Sequence, residues 1–164
     1  MKPEITREEV VEILDYDAES GAFRWRVNRA GGAKAGDVAG YVSKQGYRQI
    51  MIKGWPHRAH RLAFLIMTGE WPAQVIDHLN GIKDDNRFSN LRAVSNEINA
   101  QNQRNARQDS RSGILGVSPA RAGRYQATIQ VGGKTRHLGY FDSPEVAHQM
   151  YLAAKRMLHP GNTL

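Results

Sequence analysis

From Gln101 to Ser112 the chain runs twelve residues with one alanine as its only apolar side chain, the rest being Asn, Gln, Arg, Asp and Ser. Nothing on such a stretch offsets the conformational entropy lost on burial, so the residues to either side must fold around separate cores. With 164 residues in total, 40% hydrophobic and 24% charged, both cores are small yet sufficient for folding. No run of about 18 apolar residues exists, so no membrane span is expected. Met1-Lys2-Pro3-Glu4-Ile5 has no apolar stretch suited to a secretory signal. The absence of cysteine excludes disulfides, cysteine nucleophiles, iron–sulfur clusters and cysteine-bearing zinc sites, and fits a cytoplasmic, reducing setting. Any metal is left to His, Asp, Glu, Asn and water.

The net charge of +7 points to a polyanionic partner, of which nucleic acid is the commonest. That charge is unevenly placed. Met1 to Ala22 carries two basic and seven acidic side chains, whereas Ala100 to the end carries nine basic and three acidic ones. The footprint for an anion therefore lies in the C-terminal part.

Thr6-Arg7-Glu8-Glu9 is a capping box opening a helix through Leu14, and Asp17 to Gly21 turns the chain. Phe23, Trp25 and Val27 alternate with arginines, as in a strand with one wet face. Short strands are expected at Val38 to Val42 and Tyr47 to Ile52. A helix is expected from Arg58 to Thr68, stopped by Gly69 and Pro72. Val75-Ile76 then ends at Asp77-His78. Leu91 to Val94 is a strand, and Ser95 is the N-cap of a helix to about Gln103. Further strands are expected at Ile114 to Ser118, Arg124 to Val131 and Lys134 to Phe141, the last two joined by Gly132-Gly133. Ser143-Pro144 opens a helix from Glu145 to Leu158, with Val146, Met150, Ala153, Ala154 and Met157 expected to cover the sheet.

Asp77-His78 at the end of a strand holds a carboxylate and an imidazole on a fixed edge. Asn99, about one turn inside the following helix, can turn its amide back towards them. Histidine, carboxylate and amide oxygen on one site are what phosphodiester hydrolysis needs: a base for water and hard oxygen ligands for a divalent metal. Taken alone, an Asp-His pair more often simply caps a strand. His60 reads as a packing residue at the head of a helix and His57 as a turn residue; His148 and His159 receive no role.

Val75-Ile76-Asp77-His78-Leu79-Asn80-Gly81, Asp85-Asn86-Arg87-Phe88-Ser89-Asn90-Leu91-Arg92, Ser95 and Asn99 together resemble the ββα-metal motif of HNH endonucleases, in particular phage homing endonucleases. His60-Arg61-Leu62-Ala63-Phe64, Thr68-Gly69-Glu70-Trp71-Pro72, Leu14-Asp15-Tyr16-Asp17 and Ser20-Gly21 extend that resemblance over nearly all of the first hundred residues. It implies that His78 is the general base, that Asn90 holds the imidazole through a hydrogen bond, and that Asp77 and Asn99 bind one divalent cation. Many relatives have a second metal-binding histidine where this chain has Asn99, which implies a hard ion, Mg²⁺ or Mn²⁺. The implied products are a 5′ phosphate and a 3′ hydroxyl.

In the C-terminal part, Tyr125, Ala127, Ile129 and Val131 are expected to face the helix, leaving Arg124, Gln126, Thr128 and Gln130 outward. A polar sheet face of that kind can lie in a major groove, or can simply be a soluble surface. Ser112-Gly113-Ile114-Leu115-Gly116-Val117, Gly123-Arg124-Tyr125-Gln126-Ala127, His137-Leu138-Gly139-Tyr140-Phe141-Asp142, Glu145-Val146-Ala147 and Tyr151 resemble the ethylene-response-factor (Apetala-type) DNA-binding domain. That domain is a three-stranded sheet backed by one helix, and it reads DNA with the sheet. The implied contact face is Arg121, Arg124, Gln126, Thr128, Gln130 and His137, with Arg104, Arg107 and Arg111 following the DNA backbone. Ser118, Gln130, Thr135 and His137 stand where the plant domains have arginines or tryptophan, so recognition is expected to differ.

The expectation is an α+β protein. Residues 1–104 would form an HNH endonuclease module, with its ββα-metal core at about 73–103. A basic linker would occupy 105–111, and residues 112–160 would form a three-stranded antiparallel sheet packed on one helix. The expected function is a monomeric, site-specific homing-type endonuclease acting on double-stranded DNA, by nicking, in a cytoplasm that is the host's if the gene is phage-encoded. A catalytically inactive DNA-binding regulator on the same scaffold is the alternative. RNA binding is disfavoured because no exposed stacking aromatics are expected on the sheet.

Overall fold

Thr6 caps the first helix as its sequence demands: Glu9 N donates to Thr6 Oγ1 (3.3 Å) and Thr6 N to Glu9 Oε2 (3.2 Å). The computed structural model describes residues 5–163, so the reading of Met1 to Glu4 lies outside the described residues. The chain is α+β and divides into two units, Met1–Ser95 and Asn96–Leu164. No described helix is long and apolar enough to cross a membrane.

In the first unit, α1 (Arg7–Ile13) leads into a hairpin of β1 (Leu14–Tyr16) and β2 (Phe23–Trp25). A three-stranded antiparallel sheet follows, in the order β3 (Tyr41–Val42), β4 (Arg48–Ile52) and β5 (Trp55–Arg58). Helix α2 (Ala59–Thr68) ends on left-handed Gly69, whose N–H bonds Leu65 O (2.9 Å). The ribbon of β6 (Val75–His78) and β7 (Leu91–Val94) completes the unit. Val10, Leu14, Phe23, Ile50, Ile52, Leu62 and Leu65 form its core. Each such side chain contributes about 1.5–3 kcal/mol on burial.

Strand β5 differs from the turn expected around His57. Lys53 and Gly54 both have positive φ, forming a two-residue hairpin turn without the usual Asn-Gly signal. Pro56 is accepted because β5 is an edge strand and its missing N–H leaves no ladder bond unmade. His57 is consequently buried opposite Ile50, with its ring stacked 6.1 Å from that of Trp71.

The N-terminal hairpin grips the loop between β6 and β7. Tyr16 Oη donates to Asn86 O (2.7 Å) and Phe88 N to Ala18 O (3.0 Å). Gly21, at φ +74, presses its Cα against the same segment: a Cβ there would stand 2.4 Å from Arg87 N and 2.5 Å from the Asn86 carbonyl carbon.

The second unit contains α3 (Asn96–Gln101), β8 (Val117–Pro119), β9 (Tyr125–Val131), β10 (Lys134–Phe141) and α4 (Pro144–Leu158). Its antiparallel sheet has the order β10-β9-β8, and Gly132 and Gly133, both at positive φ, close the expected hairpin. Ser143 caps α4 by accepting from Val146 N (3.2 Å).

The face of α4 that covers the sheet is not the expected one. Ala147, Tyr151 and Lys155 are buried, whereas Val146, Met150 and Met157 are exposed, Met157 at 85%. The two stripes lie one residue apart and are comparably apolar. Tyr151 decides between them by laying its ring on Gly116, where a Cβ would come within 2.1 Å of it. Lys155 buries its stem and donates from Nζ to Gln103 O.

The outward sheet face also gains an aromatic that the strand alternation hides. A bulge between His137 and Gly139 shifts the register, so Tyr140 pairs with Gln126 and its ring lies 4.5 Å from that of His137. The sheet face thus carries an exposed aromatic, contrary to the expectation that disfavoured RNA.

Gly21→Ala is expected to lower stability by roughly 2–4 kcal/mol, since it combines a positive φ with a backbone clash. The urea midpoint measures it; a change under about 0.5 kcal/mol would show that the hairpin does not bear on the loop.

Candidate active site

Asp77 and His78 close β6, directly opposite Arg92 and Leu91 of β7. Both are more than nine-tenths buried, an expensive placement for a carboxylate and an imidazole unless each finds partners. Arg92 donates from Nε (3.0 Å) and Nη2 (2.8 Å) to Asp77, both to Oδ2.

The His78 ring packs edge-on against His60, centroids 5.1 Å apart, and lies 6.0 Å from Tyr47. Burial pushes its pKa below the ordinary histidine value, while the Asn86 side chain and the charges of Asp77, Asp85 and Asp84 pull it back up. The result is an imidazole that is neutral at neutral pH, the form a general base needs. His60 is driven further, to about 3, chiefly by burial and then by His78, Arg58 and Arg61. It is a packing residue, as its sequence context implied, but what it packs is the His78 ring.

Asn90 does not hold the imidazole. Its Nδ2 donates to Asn80 Oδ1 (3.0 Å) and Asp85 O (2.8 Å), and its Oδ1 accepts from Asn80 N (3.0 Å). Asn80 in turn donates from Nδ2 to Asp85 Oδ2 (2.6 Å) and receives Ile82 N at Oδ1 (2.9 Å). Asn90 thus braces the loop after His78, and the amide that faces the ring is Asn86, 1% exposed. Asn86 and Arg92 are the site neighbours the sequence reading passed over. Asn86 was within reach, being flanked by assigned residues, whereas Arg92 needed the strand register.

Around Tyr47 stand two cations, the Arg58 guanidinium 4.6 Å and the Lys83 ammonium 5.0 Å from its ring centroid. Among the described residues no group of three or more His, Cys, Asp or Glu gathers to hold a metal. A hard cation such as Mg²⁺ needs less from the protein, because one or two oxygen ligands suffice when water and phosphate complete the shell. The Asp77 carboxylate and the Asn99 amide oxygen have the right donor chemistry. Asn99 lies exposed on α3, which groups with the second unit.

The residues assigned to DNA contact fall into distinct environments. Gln126, Thr128, Gln130 and His137 share the outward sheet face through the pairs Gln126–Tyr140, Thr128–His137 and Gln130–Thr135. Gln126 donates to Ser118 Oγ (2.9 Å), and Arg124 donates to Tyr140 O (2.9 Å) while pairing with Asp142 (3.1 Å). Arg121 is exposed in a 3-10 turn, and Arg107 and Arg111 are exposed before the sheet. Arg104 is committed elsewhere: Nη2 donates to Thr163 Oγ1 (2.8 Å) and O (3.2 Å). With Gly161 N on Gln101 Oε1 (2.9 Å), these bonds tie residues 101–104 to the 159–163 segment.

His60 generates a pH signature. Its folded pKa, about 3, lies below the unfolded value of 6.5, so its contribution to stability is complete above 6.5 and is lost as pH falls from there towards 3. Urea midpoints are expected to fall less steeply between about pH 6.5 and pH 4 in His60→Gln than in the wild type. Parallel curves would contradict a neutral buried His60. Asn90→Ala is expected to cost roughly 2–4 kcal/mol and to speed amide exchange in residues 79–87.

Residues 57–101 match the family model described as HNH endonuclease, a span that ends short of β8, β9, β10 and α4. The chain is similar to the DNA endonuclease I-HmuI of Bacillus phage SP01, at 37% identity over 84 residues, 48% of this chain and 45% of the phage protein. It therefore spans about half the length of the curated relative it matches. No solved structure matches the chain significantly. The family likeness is thus to the HNH endonucleases and rests on the segment that holds Asp77, His78, Asn90 and Asn99.

Proposed function

We propose that the protein is a metal-dependent DNA endonuclease of the homing type that nicks double-stranded DNA. The observation that carries this reading is the buried, neutral His78 imidazole beside the Asp77 carboxylate on a rigid strand pair, inside the segment similar to HNH endonucleases. His78 accepts the proton of the attacking water, and its burial keeps the ring deprotonated and ready to do so. The His60 ring fixes its orientation from one side and Asn86 from another. Asn90 keeps the loop that carries Asn86 in place. Asp77 and Asn99 carry the oxygen donors that would hold Mg²⁺ or Mn²⁺, which when bound would supply charge stabilisation to the phosphodiester undergoing hydrolysis. Cleavage leaves a 5′ phosphate and a 3′ hydroxyl. Arg58 and Lys83, at the Tyr47 ring that lies 6.0 Å from His78, suit a phosphate backbone.

Substrate reading falls to the second unit. Its three-stranded sheet on one helix, with Gln126, Thr128, Gln130, His137 and the flanking Arg121 and Arg124 outward, has the shape and donors for a major groove, as in Apetala-type domains. Arg107 and Arg111 add salt-dependent contacts to phosphate, and Arg104 acts indirectly by holding the segment that carries them. One catalytic set per chain accounts for nicking by a monomer.

A supercoiled plasmid carrying the gene's own flanking DNA is expected to be relaxed in Mg²⁺ and untouched in EDTA. His78→Ala is expected to slow this at least about 100-fold. Cleavage unchanged by His78→Ala would overturn the mechanism, and DNA shifted on a native gel but cut by neither protein would favour a binding-only regulator.

A further inference from the structure

Three carboxylates lie close enough to His78 to raise its proton affinity, and each of them is bound to its own arginine. Arg92 of β7 holds Asp77. Arg48 of β4 holds Asp84 with Nε and Nη2 on separate oxygens, each at 2.9 Å. Arg87 holds Asp85 through Nε (2.8 Å) and Nη2 (2.5 Å). Three arginines from three different segments thus converge on three acids. The cations at Tyr47, Arg58 and Lys83, come on top of these pairs. Of these eight side chains, five are cationic and three anionic.

A dication approaching Asp77 in the free protein therefore meets a carboxylate whose charge is already balanced, with the guanidinium at hydrogen-bond distance from it. Charge repulsion at such range in a largely buried site changes affinity by an order of magnitude. The negative charge that would tip the balance is a phosphate diester. We propose that the Asp77–Arg92 pair keeps the metal site electrostatically neutral until DNA arrives, so that the divalent ion and the DNA phosphate load together. This rests on the reading of Asp77 as a metal ligand. Arg92 is then a positioning residue: it acts through Asp77, which it holds at Oδ2. By linkage, metal tightens DNA binding by the same factor that DNA tightens metal binding.

The test uses the full chain, ¹⁵N-labelled and free of DNA, titrated with Mn²⁺ and followed by paramagnetic broadening of the backbone amide signals at positions 77 and 78. Arg92→Gln is expected to reach half-broadening at about tenfold lower Mn²⁺ than the wild type, and Arg92→Lys, which keeps the charge, within about twofold of it. Equal midpoints for wild type and Arg92→Gln, or Arg92→Lys shifting as far as Arg92→Gln, would overturn the proposal. Asp77→Asn separates the two layers of argument. If it broadens like the wild type, the metal assignment itself fails; if it does not broaden while Arg92→Gln fails to tighten, only the role of Arg92 falls. Should Arg92→Gln lose its dispersed spectrum through an uncompensated buried carboxylate, the wild type decides. A fluorescent duplex is expected to bind about tenfold more tightly in Ca²⁺ than in EDTA at constant ionic strength, and equal affinities would overturn the proposal.

Discussion

Two backbones meet at Gly21, and the geometry of the candidate site follows from that meeting. The β1–β2 hairpin can approach the segment Asn86–Arg87 only because position 21 has no side chain. Bonds from Tyr16 Oη to Asn86 O and from Phe88 N to Ala18 O then hold it there. Tyr16 remains a donor throughout the useful pH range, since burial pushes its pKa up to about 12. With the loop anchored from outside by the hairpin and from inside by Asn80 and Asn90, Asn86 has one place to stand, beside His78. A loop of this length would otherwise sample many conformations, and a base on its edge would lose its orientation.

Burial at the ribbon works in two directions. It strips water from His78 and His60, which favours the uncharged imidazoles, at His78 against the opposing pull of Asp77, Asp85 and Asp84. It also makes a lone carboxylate costly, which is why Asp77, Asp84 and Asp85 each recruit an arginine. The pairing that offsets the cost of these carboxylates also leaves each of their charges balanced by a guanidinium.

The second unit solves a different problem, that of stabilising a very small sheet. Its core is little more than Val117, Ala127, Ile129, Ala147 and Tyr151. The additional order comes from polar bonds between the chain on either side of the sheet: Lys155 on Gln103, Arg104 on Thr163, His159 on Gln130 and Gly161 on Gln101. A stretch with a single apolar side chain is thereby kept in place by hydrogen bonds. Lys155, nearly fully buried, has its pKa lowered by burial and by Arg104, but the Gln103 carbonyl takes its proton donor.

Features set by neighbours along the chain were legible in the sequence: the capping box at Thr6, the Gly132-Gly133 hairpin, the Ser143 cap and the short strand that ends at Asp77-His78. Covalent spacing alone brings these groups together, so the residues that form them predict them. What pairs across the fold was not legible. The sequence holds two equally plausible stripes on α4, and only the fit of the Tyr151 ring on Gly116 selects one. It contains Asn86 and Asn90 four residues apart, and only the course of the loop assigns one to the imidazole and the other to the brace. It shows His60 as a helix residue, and only packing sets it against His78. Local geometry needs no partner beyond a few residues, whereas burial, charge pairing and ring contact depend on groups distant in sequence, and these the tertiary structure alone decides.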